Sequence, residues 1–282
     1  MFMPLLSPVR GTHVGVISAM RIERACADAW PAQVDEPLGE WRLRAAGGFT
    51  GRANSALAID DPGLPLPDAL AAVCDFAHQH AIPPMLQAVQ NSPVERDLPR
   101  FGWRPCDDHA AGNDVAVLLG PAASPDGGPL GTGPALATEA APDTEPADRH
   151  VEVLAEPLPG WWELTIGTTE PTGAERAVLT GGDAVGYGLV HGPDGARAAV
   201  RGAVADGLLL VARLTVRPGH RRQGLARALM AAIGTWGGRH GASRCVLQVA
   251  ADNAGALALY NRLGFREHHR YRYWVPCEDR AL

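Results

Sequence analysis

The chain contains no lysine: all 25 of its Lys+Arg residues are arginine. That absence excludes Schiff-base chemistry, a pyridoxal anchor and a P-loop lysine. Cysteine is scarce and scattered. Cys26, Cys74, Cys106, Cys245 and Cys277 form no Cys-x-x-Cys pair, so neither a zinc site nor a disulfide framework is expected, and a reducing cytoplasm is the natural compartment. No run approaches the ~18 consecutive apolar residues that would span a bilayer. Pro4, Pro8 and Arg10 interrupt the opening residues where a signal peptide needs a continuous apolar stretch. An excess of positive charge is also missing. The formal net charge of −6 disfavours a general nucleic-acid binder.

What is present supports folded domains. At 282 residues and 46% hydrophobic, the chain fits two domains of ~100–150 residues. Residues 120–149 hold six Pro and five Gly among small and polar residues, too few large apolar side chains for a core, and read as a flexible linker. This leaves an extension over 1–19, one domain over 20–119 and another over 150–282. Patterned sequence begins near Ile22, which makes Met20 a candidate start. The two halves share a pattern: Leu86-Gln87 and Leu247-Gln248 each follow a helix-like stretch and precede a Gly-aromatic pair, Gly102-Trp103 and Gly264-Phe265. We read this as duplication of one α/β unit.

Periodicity in the second half predicts strands over Val185–Val190 and Ala198–Val204, joined by the Gly192–Gly195 turn. The run Gly207–Val216 predicts a buried central strand ended by Pro218-Gly219. Leu225, Leu229, Ile233 and Trp236 give a helix stripe, whose end Gly237 and Gly238 weaken. A strand over Cys245–Ala250, a helix over Ala254–Leu263 and a strand over His268–Val275 follow.

Charge is lopsided here. Between Gly207 and Ala251 there is no acidic residue but seven arginines, four of them (Arg217, Arg221, Arg222 and Arg227) at the strand-to-helix junction. A helix N-terminus with unpaired N–H groups attracts phosphate, and Gly224 lets it approach the backbone. The chemistry points to a ligand bearing a polyphosphate. In the first half the corresponding stretch, Asp60–Pro65, is acidic and would repel one.

Arg221-Arg222-Gln223-Gly224-Leu225-Ala226 resembles the (Arg/Gln)-x-x-Gly-x-(Gly/Ala) motif of the GNAT superfamily of N-acetyltransferases. Leu214-Thr215-Val216, Asp252-Asn253, Ala258-Leu259-Tyr260 and Leu263-Gly264-Phe265 extend the likeness over ~60 residues in the same order. The stretches HHRYRYW and GGFTGRANS are similar to an actinobacterial tandem subfamily labelled histone-acetyltransferase-like. The resemblance implies an α/β (α+β) tandem GNAT fold, a mixed central sheet flanked by helices with a degenerate N-terminal copy. It implies acetyl-CoA as donor, held by Leu214, Thr215, Val216, Arg221, Arg222, Gln223, Gly224, Leu225, Ala226, Arg227 and Asn253, with Tyr260 protonating the leaving thiolate and no metal. The acceptor would be a small-molecule or peptide amine, and the chain needs no membrane. Where several relatives carry a catalytic Glu, this chain has Gln248, which leaves the base to water or to an acid such as Glu163 or Asp206, or makes a base unnecessary for a low-pKa amine. Trp161 and Trp162 are candidates for an acceptor-pocket wall, His268 and His269 for groups titrating near neutrality, and Arg52 and Asn54 for polar contributions from the first half. A mycothiol-synthase-like acetyltransferase, a non-catalytic acyl-CoA-binding regulator and an arginine-rich nucleic-acid module remain alternatives.

Overall fold

A computed structural model describes residues 17–107, 112, 114–122 and 150–277. The first half runs α1 (Ala19–Ala29), β1 (Val34–Leu38), β2 (Trp41–Ala45), β3 (Ala56–Ala58), α2 (Leu66–Gln79), β4 (Leu86–Val89), α3 (Pro93–Asp97), β5 (Trp103–Pro105) and β6 (Asp114–Pro121). The second runs β7 (Glu152–Leu154), α4 (Pro159–Ile166), α5 (Gly173–Thr180), β8 (Ala184–Gly192), β9 (Gly195–Ala205), β10 (Leu208–Val216), α6 (Leu225–Arg239), β11 (Arg244–Ala250), α7 (Ala254–Arg262) and β12 (Arg266–Pro276). Each element expected in the second half forms within a few residues of its expected limits. Ser18 caps α1 by accepting from the Arg21 amide, so the helix begins ahead of Met20.

All strands join one mixed sheet in the order β1-β2-β3-β4-β12-β6-β11-β10-β9-β8-β7, with β5 on β12. The halves repeat one unit, a parallel β3–β4 pair around α2 and a parallel β10–β11 pair around α6. They also exchange strands. β6 of the first half lies antiparallel along the whole of β11, while β12 of the second pairs with β4 and β5. The two expected domains therefore share one continuous sheet, and the boundary placed at 119 falls inside β6. Most of the linker, residues 123–149, lies outside the described residues.

Alternation along β10 builds the two layers. Leu208, Leu210 and Ala212 join the core beneath α1, α4 and α5, while Leu209 and Val211 join the core beneath α6 and α7. We call these the front and back faces. Gly237, which lowers intrinsic helix propensity by about 1 kcal/mol relative to Ala, does not end α6. A Cβ there would lie 2.7 Å from Leu209, and one on Gly202 would lie 2.6 Å from Ile233. The glycines let helix and sheet approach closely, an advantage that outweighs propensity.

Candidate active site

The site is built where two parallel strands part. β10 pairs with β11 only from Leu208 to Val211, matched to Arg244–Leu247. Beyond that point β10 carries a bulge between Ala212 and Thr215 against β9, and Arg213 adopts φ +55°. Strict alternation would send Arg213 to the back face with Val211. The bulge re-aims it to the front, over the Trp30 and Phe49 rings at 5.8 and 5.0 Å. Leu214 and Val216 pack on the back.

Past β10, a short turn over Pro218–His220 leads to Gly224, the α6 N-cap, at φ +85°. No side chain caps this helix and no acidic residue sits in its first turn. The first helical bond runs from the Ala228 amide to the Gly224 carbonyl, which leaves the amides of Leu225, Ala226 and Arg227 facing outward. Arg221, Arg222 and Arg227 are exposed around them, and Arg222 takes φ +64°. Gln223 donates to the Gly219 carbonyl at 3.3 Å, holding the turn.

Tyr260, on α7, is buried in the back core and packs edge-on against Phe265 at 5.9 Å. Burial pushes its hydroxyl pKa up to about 12, so it stays protonated through the neutral range. Asn253 is the N-cap of α7: its Oδ1 accepts from the Ala256 amide at 3.0 Å.

The front face holds what the sequence did not reveal. Leu247 and Val249 face the back core, so alternation turns Gln248 forward, where its Oε1 accepts from Arg52 at 2.9 Å. Its amide donates to Glu23, a carboxylate of α1 that is 1% exposed. Gln87, the counterpart of Gln248 in the first half, donates to the same carboxylate at 2.6 Å and accepts from the buried Arg44. The Glu23 carboxylate thus lies between the duplicated strands, held by matching amides. From it a chain leads outward: His269 Nε2 lies 2.9 Å from Glu23, His269 Nδ1 lies 2.9 Å from His268 Nδ1, and His268 Nε2 lies 3.0 Å from the Ile17 carbonyl. A carbonyl only accepts, so His268 Nε2 donates. A proton must then lie between the two imidazoles, because two facing lone pairs would repel. Burial, and then the neighbouring His269, lower the His268 pKa below its usual 6.5.

Three comparisons bear on this geometry. A sequence profile described as "Probable histone acetyltransferase Rv0428c C-terminal" matches residues 18–91 and 131–274, well over half of the chain. The chain belongs to this GNAT acetyltransferase family. The [Ribosomal protein bS18]-alanine N-acetyltransferase of Escherichia coli K12 is 32% identical over 134 residues, which is 48% of this chain and 82% of the relative. In fold, the chain resembles a GCN5-related N-acetyltransferase from Kribbella flavida (18% identity, TM-score 0.64, 92% and 95% of the two chains). It also resembles a tandem GNAT protein from the clavulanic acid biosynthesis pathway (15%, TM-score 0.53, 78% and 74%).

Within this acetyltransferase, several residues singled out in the sequence lie apart from the strand opening. Asp206 sits in the β9–β10 turn, at the opposite end of β10, and pairs with Arg21; it is no candidate base. Trp161 and Trp162 are packing residues rather than a pocket wall. Trp161 is fully buried, donates to the Val200 carbonyl and meets Trp162 and Tyr187 edge-on. Glu163 is held by Arg217 at 2.9 Å. Asn54 accepts from the Ala46 and Gly48 amides and donates to the Phe49 and Thr50 carbonyls, shaping the loop that presents Phe49 and Arg52. In the first half Asp60 is paired with Arg24. A cavity of about 600 Å³ lies between α2 and the Phe101–Trp103 turn, and no residue of α6 lines it. Among the described residues, no helix is long and apolar enough to cross a membrane.

Proposed function

We propose that this chain transfers an acetyl group from acetyl-CoA to a primary amine at the opening between β10 and β11. The observation that carries the reading is the uncapped α6 N-terminus behind a left-handed Gly224, ringed by Arg221, Arg222 and Arg227. Outward amides, the helix dipole and three guanidiniums suit a pyrophosphate. The edge of β10 from Leu214 to Val216 would take the pantetheine arm as an added strand, and Asn253 would offer its side-chain amide beside α7. The thioester supplies an activated acetyl group that an amine attacks directly, releasing a thiolate. Tyr260, protonated up to about pH 12, is suited to give that thiolate its proton. The attacking nitrogen must also lose a proton. With Gln248 unable to accept one, the Glu23 carboxylate to which it is hydrogen-bonded, backed by His269 and His268, would take that proton.

The test is calorimetric titration with acetyl-CoA, followed by an amine panel read by thiol release. One site per chain, abolished by Gly224→Glu, supports the assignment; two equivalent sites would return the acidic Asp60–Pro65 stretch to contention. Reading the chain as a non-catalytic binder requires tight acetyl-CoA binding without turnover of any amine. The intact Tyr260 argues against that.

A further inference from the structure

Three arginines converge on one tryptophan at the front of the strand opening. The guanidinium carbons of Arg52, Arg201 and Arg213 lie 4.3, 5.2 and 5.8 Å from the Trp30 ring centroid. Arg201 is structural. It is fully buried and donates to the Leu179, Ala29 and Gly181 carbonyls, tying the ends of α1 and α5 to β9.

Arg52 and Arg213 differ. Both are only half-buried. Arg52 gives one N–H to Gln248, and Arg213 makes one long contact to the Thr165 carbonyl at 3.4 Å. Among the described residues neither has a carboxylate within 4 Å, whereas Arg21, Arg24, Arg42, Arg217, Arg270 and Arg272 each do. The nearest acids are engaged elsewhere: Glu23 by Gln87, Gln248 and His269, and Glu175 by the capping box of α5. Burial, and then the neighbouring Arg52, lower the Arg213 pKa to about 10. Two unpaired guanidiniums beside each other at low dielectric favour an oxyanion, which a guanidinium binds in two-pronged fashion. The β10 bulge turns Arg213 onto the front face with Trp30 and Phe49, whereas Leu214 and Val216 beside it pack on the back.

We infer that the acceptor is an amine that also carries an oxyanion, a carboxylate or a phosphate, held by Arg52 and Arg213 on the front of the β10–β11 opening. This deepens the acetyl-transfer reading and rests on it. It also sets this chamber against a lysine-rich tail, whose ammonium groups two guanidiniums would repel.

The experiment uses the full chain saturated with CoA and titrates N-acetylated products, which occupy the acceptor side without turnover. The probes are N-acetylglycine, N-acetylglycinamide, N-acetyl-O-phosphoethanolamine and an N-acetylated lysine-rich peptide. We expect at least one of the two anionic probes to bind ten-fold or more tightly than the neutral amide, and the carboxylate and phosphate arms to show which oxyanion is preferred. Arg213→Gln should erase that advantage while CoA affinity stays within two-fold. Arg52→Gln should do the same, and a double variant should add little to either. Equal binding of anionic and neutral probes, preference for the basic peptide, or no measurable binding of any probe overturns the inference. Failure of CoA itself to bind overturns the acetyl-transfer reading instead, so the two outcomes are separable.

Discussion

At the scale of single residues, the site divides into groups that a motif announces and groups that only the fold assembles. Tyr260 belongs to the first kind. Tyr260→Phe removes one hydroxyl and keeps the ring packed against Phe265, so kcat should fall ~100-fold, the lower end for general-acid help, while acetyl-CoA affinity holds. Because its pKa is pushed up to about 12, the hydroxyl is protonated across pH 6–10 and the loss should be uniform over that range. Steady-state rates against pH check this. Glu23 belongs to the second kind. It stands 225 residues from Gln248 in sequence, and no local pattern marks it among other acids of an amphipathic helix. Glu23→Gln keeps a side chain of the same size facing Gln87, Gln248 and His269 but cannot take up a proton at neutral pH. The expected result is a lower kcat/KM with unchanged acetyl-CoA binding. An unaltered kcat/KM would remove Glu23 from this role. The sequence flagged Gln248 as a missing base and Arg52 as worth watching, yet could not show that they are hydrogen-bonded to each other.

At the scale of elements, legibility followed locality. The apolar run of β10 and the 4-4-3 stripe of α6 report directly on a strand and a helix, because side chains at those spacings share one face whatever the rest of the chain does. Gly224 was equally readable, since a motif glycine just before a helix implies a backbone that only glycine adopts cheaply. At φ +85° a Gly224→Glu side chain costs about 1 kcal/mol in backbone strain, or a melting point ~2–4 °C lower for a chain of this size. Acetyl-CoA binding should disappear in calorimetry, far beyond what that strain explains. The bulge of β10 was not readable, because it is defined against β9 rather than within its own strand. The reason Gly237 sits inside α6 was hidden in the same way: propensity is local, but close packing on Leu209 is not. Gly237→Ala should therefore destabilise by about 1–2 kcal/mol despite its better helix propensity, as urea unfolding would show. Greater stability instead would mean that Leu209 yields freely.

At the scale of the whole molecule, the duplication showed in the sequence and the exchange of strands did not. Leu86-Gln87 and Leu247-Gln248 announce two copies, but which copy β6 or β12 completes depends on pairing between distant segments. β6 lies against β11 over its full length, and β12 spans β6, β4 and β5. Neither half can close its own sheet, so residues 150–277 expressed alone should leave β11 an open edge and fail to give a stable monomer. Co-expressed fragments 17–122 and 150–277 should instead co-elute, unfold in one calorimetric transition and retain acetyl-CoA binding. A stable, folded 150–277 monomer would contradict this. The exchange also has a consequence in time. A nascent chain leaves the ribosome from its first residue onward, and β12 begins at Arg266, far behind the end of β6 at Pro121. At ~5–20 residues per second, β6 waits roughly 7–30 s for the strand that belongs between it and β4. Production of this protein in cells should therefore depend on chaperones that shelter unpaired strands, and should respond to translation speed in the second half more than in the first.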